Sequence, residues 1–580
     1  MRRTTWASGL LLPALLAVTP ACDSDSTCQT LYPCAGVCVN LDVDHGNCGA
    51  CGVTCTADQA CVGGTCMATA QCTAPESACG DVCANLQTAH DHCGDCATAC
   101  STNGACVSGR CAEPLAVLQT SLMDRTVDRD AYVLTDVTYA LTRLDMSTLA
   151  TSRVIDHAIL PDGRVILLMA QTEDVFELFL VPPGGGAPVK LSGTLVAGGD
   201  VQPGIVVSRD GTRVLYRADQ DVDDRIDLYA VAVASPGASV KIDGDLPAGG
   251  RVSPVVAVSA DGRRAAYVAE QDTLGLDEAY TVDLSAATPG PSVKLNPVAS
   301  APIWDLRLTP AGDRVVYRHN TVTLALEMVA VAAPGVEVPI DYAEATNGYV
   351  EGYQLSPDGS AVVFSGGNSF LRASLWRTPL PPTGPATRLV DGSNGADVRS
   401  RFAISADGRR VYYVAVAPSG LERLWRVDIA APLAPVALSP NPVDIADQVT
   451  DFAVSPDQRS VVYRAGADGG EGGLTQPETQ GPVPVAPFAP SLYAVDLTPA
   501  TIPPPRLLAT LSSGDGVSPG YRVTADGARV LFQADLDTPT FSDAYLVEVA
   551  NPPGRRKVSP PLDQTADATD VSLVTLFPGR

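Results

Sequence analysis

The stretch Val206-Val207-Ser208-Arg209-Asp210-Gly211-Thr212-Arg213-Val214-Leu215-Tyr216 decides the fold, because it recurs along the chain at a nearly constant interval. An apolar run ends in Ser-x-Asp-Gly, and a β-branched run with an aromatic residue follows. The turn aspartate falls at Asp162, Asp210, Asp261, Asp358, Asp407, Asp457 and Asp526, and Ala311 takes the slot between Asp261 and Asp358. Asp-Gly between two apolar runs marks a tight hairpin, both positions being tolerant of positive φ. A period near 50 residues points to a repeat architecture. The chain therefore reads as eight repeats.

Each repeat reads as four strands. The second strand carries an aromatic six residues past the turn, as at Tyr216, Tyr267, Tyr317, Phe364, Tyr413, Tyr463 and Phe532. The third carries another large residue at Phe179, Tyr229, Tyr280, Met328, Trp376, Trp425, Tyr493 or Tyr545. The fourth bears a basic residue at Lys190, Lys241, Lys294, Arg388, Arg506 and Lys557, a charge that discourages edge-to-edge pairing. Four-stranded units at this period indicate an all-β fold, a β-propeller. Eight blades are expected over 115–580, with nine as the alternative. The stretch 130–155 reads as a partial blade and 570–579 as a lone first strand, so the two ends are expected to meet. The seventh repeat holds a Gly/Pro-rich insertion near 467–490, read either as a recognition loop or as a linker.

Leu355-Ser356-Pro357-Asp358-Gly359, Val454-Ser455-Pro456-Asp457 and Ile404-Ser405-Ala406-Asp407-Gly408 resemble the WD-repeat-like blades of the TolB family. That resemblance implies a propeller that binds a protein partner.

The first 111 residues are of another kind. Arg2 and Arg3 precede an apolar run from Trp6 to Val18, closed by Thr19-Pro20-Ala21-Cys22, which reads as an export signal over 1–21. Cleavage before a Cys resembles a bacterial lipoprotein signal, with Thr19 where Leu is usual. Cys22 is then the expected lipidation site on a tether over 22–27, and a lipid anchor the only expected membrane attachment.

All 17 Cys lie between Cys22 and Cys111. Sixteen form two copies of one spacing. The first, over 28–66, holds Cys28, Cys34, Cys38, Cys48, Cys51, Cys55, Cys61 and Cys66. The second, over 72–111, holds Cys72, Cys79, Cys83, Cys93, Cys96, Cys100, Cys106 and Cys111. Exported modules of this size cannot bury enough apolar surface and use disulfides instead. Zinc is the competing reading, but His45, His90 and His92 do not complete a ligand set. Connectivity stays open at this level. Asn47-Cys48-Gly49-Ala50-Cys51-Gly52 and Ala60-Cys61-Val62-Gly63-Gly64-Thr65-Cys66 resemble the cysteine-rich repeats of plant stigma-specific proteins, a pattern that also occurs in lipoproteins of myxobacteria. The resemblance implies an extracellular module without catalytic residues.

A net charge of −26 argues against nucleic acid as a partner. Of 39 basic residues only four are Lys. No zinc-protease pair or nucleotide loop is present in the sequence. Outside the cysteine modules the histidines are His157 and His319 alone, for which a structural role is the ordinary one. Asp219-Gln220-Asp221-Val222-Asp223-Asp224 carries alternating carboxylates, at Asp219, Asp221 and Asp223, as calcium loops do, without the Gly and distal Glu of an EF-hand. A solvated acidic loop is the plainer reading, and no other cofactor is expected. The sequence thus favours a non-enzymatic envelope lipoprotein, facing the periplasm or the cell surface, whose propeller binds an envelope or extracellular protein. An adhesin or glycan-binding protein is the first alternative, and a propeller lyase or lactonase the second.

Overall fold

The computed structural model describes most of 32–576. Residues 1–31 and 577–580 lie outside it, as do internal stretches of which the longest are 69–76, 123–130, 145–152, 467–490, 511–520, 535–542 and 560–568. The signal segment, Cys22, the tether and the seventh-repeat insertion therefore fall outside the described residues. The chain divides into two compact units, 1–113 and 114–580.

In the second unit the described strands form nine four-stranded antiparallel sheets, one more than the eight repeats expected. Eight of them run in chain order, from Arg153–Ile159 in the first blade to Arg556–Lys557 in the eighth. The ninth joins the two ends of the unit. Thr569–Leu576 is its first strand and pairs with Pro114–Leu122, which pairs in turn with Ala131–Thr135 and Leu141–Arg143. This sheet escapes a count of turns because its first two strands are separated by the whole chain, so no Ser-x-Asp-Gly joins them. The partial blade also begins earlier than expected, and Arg153–Ile159 belongs to the next blade.

Apolar packing between sheets closes the circle. Leu115, Leu118 and Leu134 of the ninth blade share a cluster with Leu531 and Leu546 of the eighth. On its other face Val117 and Val133 pack with Val165, Leu167 and Phe179 of the first. Within blades, the second- and third-strand aromatics stand directly opposite one another and stack, Tyr216 on Tyr229 at 5.5 Å and Tyr463 on Tyr493 at 5.3 Å. Each fully buried ring contributes about 1.5–3 kcal/mol.

The turns are more specific than the dipeptide implied. Gly211 alone takes positive φ (71°), and its N–H donates to the Ser208 carbonyl at 2.8 Å. The Ser208 hydroxyl donates to Asp210 Oδ1 at 2.6 Å and accepts from the Arg213 N–H at 3.0 Å. The same hydroxyl–carboxylate contact recurs at Ser259, Ser356, Ser405, Ser455 and Thr524. At Asp358 the Ser356 hydroxyl and the Ser360 N–H and hydroxyl hold the carboxyl down at about 2.

Candidate functional site

In the cysteine-rich unit, Sγ atoms stand at bonding distance in Cys34–Cys51, Cys48–Cys61, Cys55–Cys66, Cys93–Cys106 and Cys100–Cys111. Cys96 is also disulfide-bonded. The two members of the Cys48-x2-Cys51 pair go to different partners, so they are not free to hold one zinc ion between them. Disulfides fit an oxidising, extracytoplasmic compartment. Among the described residues no helix is long and apolar enough to cross a membrane. Cys28 and Cys72 lie outside the described residues, and the side chains of Cys38, Cys79 and Cys83 likewise.

In the propeller the fourth-strand lysines have a role that edge protection does not capture. Lys190 pairs with Glu177, Lys241 with Asp227 at 2.9 Å, Lys294 with Glu278 at 2.6 Å, and Lys557 with Asp543 at 2.5 Å. Each acid sits two residues before the third-strand aromatic, and the Asp227 and Asp543 side chains are fully buried. All four lysines of the chain are used this way. Where Arg388 takes the slot, Ser374 stands where the other blades have the acid, and the guanidinium lies over the Trp376 ring at 4.8 Å. A compact ammonium suits a buried single carboxylate, and a planar guanidinium suits a ring.

The second blade adds another carboxyl. The side chain accepting the third-strand N–H is Ser192, Asn296 or Ser439 in other blades, but Asp243 here, 2.9 Å from the Leu228 N–H. Burial, with Asp227 alongside, pushes Asp243 up to about 7.

At the end of the strands opposite the Ser-x-Asp-Gly turns lie the loops between second and third strands and the crossovers between blades. There the acidic loop of the second blade brings carboxylate oxygens of Asp219, Asp223 and Asp224 within 4.8 Å of one another. Asp221 is not in that group. Asp219 accepts from the Asp200 and Asp224 N–H groups, and Asp224 turns the chain with φ of 62°. At the same end, on the second to fourth blades, Val222, Leu274 and Trp304 are 44%, 56% and 55% exposed. Arg318 lies over the Trp304 ring at 5.4 Å and pairs with Asp305.

The histidines are structural in geometry. His157 is buried, and burial lowers it to about 4 despite Asp156 beside it, so it is neutral at physiological pH. His319 stands edge-on to Tyr317 and 3.3 Å from Glu337.

No protein-family model matches this chain, and no curated protein does. Solved structures do match. A TolB protein of Agrobacterium tumefaciens is 16% identical, over 40% of this chain and 78% of its own, with a TM-score of 0.28. Prolyl oligopeptidase B of Galerina marginata is 11% identical, over 64% and 51%, with a TM-score of 0.41. A eukaryotic initiation factor is 9% identical, over 80% and 99%, with a TM-score of 0.49. These are similarities of fold at low identity, and the functional reading rests on the residues.

Proposed function

We propose that this protein is a non-enzymatic cell-envelope lipoprotein, held by lipid on Cys22, whose propeller is a scaffold for binding another protein. One observation carries the reading. Side chains that recur from blade to blade are consumed by turns, ring stacks and lysine–carboxylate pairs, whereas three large apolar residues at one end of three adjacent blades are left exposed. Val222, Leu274 and Trp304 stand there beside Asp221, Asp223 and Asp272. Aromatic and apolar anchors with charged surroundings are the ordinary makings of a protein contact. A fold-level likeness to any enzyme supplies no chemistry, since propellers host many activities.

The test is capture of partners from a detergent-solubilised native envelope fraction. The wild-type chain should retain a discrete protein partner that Trp304→Ala with Leu274→Asp releases. Retention of the same partner by the double variant, or capture of soluble glycan and no protein, would contradict the proposal.

A further inference from the structure

Loops between the third and fourth strands lie at the Ser-x-Asp-Gly end of the blades, and from the second blade to the sixth they carry no charged side chain. These loops are 233–239, 284–292, 331–336, 380–386 and 429–435, built of Ala, Pro, Gly, Ser and Thr with a few larger apolar residues. Negative charge is concentrated at the other end. Between Leu191 and Gln448, the described loop residues there hold fifteen acidic and two basic side chains, against five and three at the Ser-x-Asp-Gly end. Those five acids, Asp210, Asp261, Asp313, Asp358 and Asp407, each accept a Ser or Thr hydroxyl of their own turn. The three bases, Arg209, Arg263 and Arg409, are exposed.

The sixth blade's loop departs from its counterparts at one residue. Gly237 of the second blade and Gly335 of the fourth turn the chain with φ of 79°. Each donates its N–H to a leucine carbonyl of the preceding blade, Leu191 at 3.1 Å and Leu295 at 2.7 Å. Leu433 makes the same bond to the Leu389 carbonyl at 2.8 Å, with φ of 63°. A leucine in the left-handed region is strained, whereas glycine adopts it freely. Packing does not offset that strain. Leu433 is 58% exposed, and a Cβ at the matching Gly335 would meet nothing within 4 Å. Leu433 is the centre of Ala430–Val436, seven consecutive exposed apolar residues, a run that a soluble surface avoids unless it has a use. Val336, 59% exposed, stands at the tip of the fourth-blade loop.

We propose that this end of the propeller rests on a phospholipid surface, with Leu433 and Val336 inserted as apolar tips and Arg209, Arg263 and Arg409 set against headgroup phosphates. A lipid surface takes apolar tips that have no polar complement, whereas a protein contact closes an apolar patch with a polar rim. Charge favours the same orientation, because phosphate repels the acid-rich end and attracts the exposed arginines. Trp304 and Leu274 are then presented away from the lipid, toward a partner. From the function proposed above, this inference takes only that the chain is held at a membrane.

The test uses the chain from residue 22, with Cys22→Ser and an N-terminal His tag. It is tethered to phosphatidylcholine vesicles that hold a nickel-chelating lipid and acyl chains brominated near the headgroup. The tether replaces the lipid anchor, so the result does not depend on acylation of Cys22, which palmitate labelling tests by itself. Emission gained by Leu433→Trp over the parent chain should be quenched about twofold by the bromines. Emission gained by Leu274→Trp, at the acidic end, should be unquenched. Leu433→Gly should melt at the parent's temperature or higher, because glycine suits a φ of 63°. No quenching at position 433, equal quenching at position 274, or a lower Tm for Leu433→Gly would overturn the proposal. So would an envelope protein that the wild type captures and Leu433→Gly releases without any quenching at position 433, which would assign the leucine to a protein contact.

Discussion

Lys294 Nζ lies 2.6 Å from Glu278 Oε1, and the Glu278 side chain is 1% exposed. Tyr280 donates its hydroxyl to the other Glu278 oxygen at 2.8 Å, so the acid is satisfied only as long as both partners remain. Removing one partner of a buried pair leaves a charge without compensation.

Lys294→Met should therefore destabilise the chain by about 3 kcal/mol, read as a lower urea midpoint. Adding Glu278→Gln should recover most of that loss, because the uncompensated charge is gone. Equal instability of the single and double variants would assign the effect to packing of the lysine stem.

Asp243 predicts a pH dependence of defined sign. A carboxyl raised from its ordinary value to about 7 holds its proton more tightly in the folded state. Its contribution is full below pH ~4, where unfolded carboxyls are protonated, and is lost as pH rises toward about 7. Asp243→Asn, which copies Asn296 of the next blade, should raise the Tm above pH 7, with the gain disappearing near pH 4. Thermal melts across that window measure it.

How much of this was legible in the sequence follows from where each residue sits. Eight turn aspartate slots fix eight blades, but Thr569–Leu576 and Pro114–Leu122 form one sheet without a local turn between them, so the ninth is invisible to that count. The lysine–carboxylate pairs were readable as Glu177-x-Phe179, Asp227-x-Tyr229, Glu278-x-Tyr280 and Asp543-x-Tyr545, each followed by a fourth-strand lysine. Taken alone, each lysine reads only as an edge charge; the pair shows when it is read with the acid two residues before the third-strand aromatic. The alternation Asp219, Asp221, Asp223 presumes an extended chain. Here the segment turns at Asp224, which brings that residue and leaves Asp221 out. Leu274 lies in a loop and Trp304 near the start of the strand Ile303–Leu308, and no local pattern marks either side chain as exposed.

Ring closure can be tested by deleting 569–580. The deletion leaves Pro114–Leu122 without its neighbour along a register running from Thr569↔Leu122 to Leu576↔Ala116. At about 1 kcal/mol for each of roughly five lost hydrogen bonds, the loss is on the order of 5 kcal/mol. An unchanged Tm would show that the two ends do not share a sheet.

By elimination the first module is expected to pair Cys28 with Cys38, and the matching spacing predicts Cys79–Cys96 and Cys72–Cys83 in the second. Peptide mapping without reductant should recover these three pairs, and a thiol count on the wild type and Cys22→Ser should find none in the 16 module positions. Palmitate-analogue labelling of the wild type, lost in Cys22→Ser, checks the anchor in the same preparations.

The central claim is that the propeller binds a protein through the exposed apolar residues at one end of its second to fourth blades. Hydrogen–deuterium exchange of the chain with and without its captured envelope partner tests this most directly. The account predicts slowed exchange in peptides covering 219–225, 270–277 and 303–305. Slowing confined to the opposite end, in peptides covering 208–213 and 259–264, would contradict it.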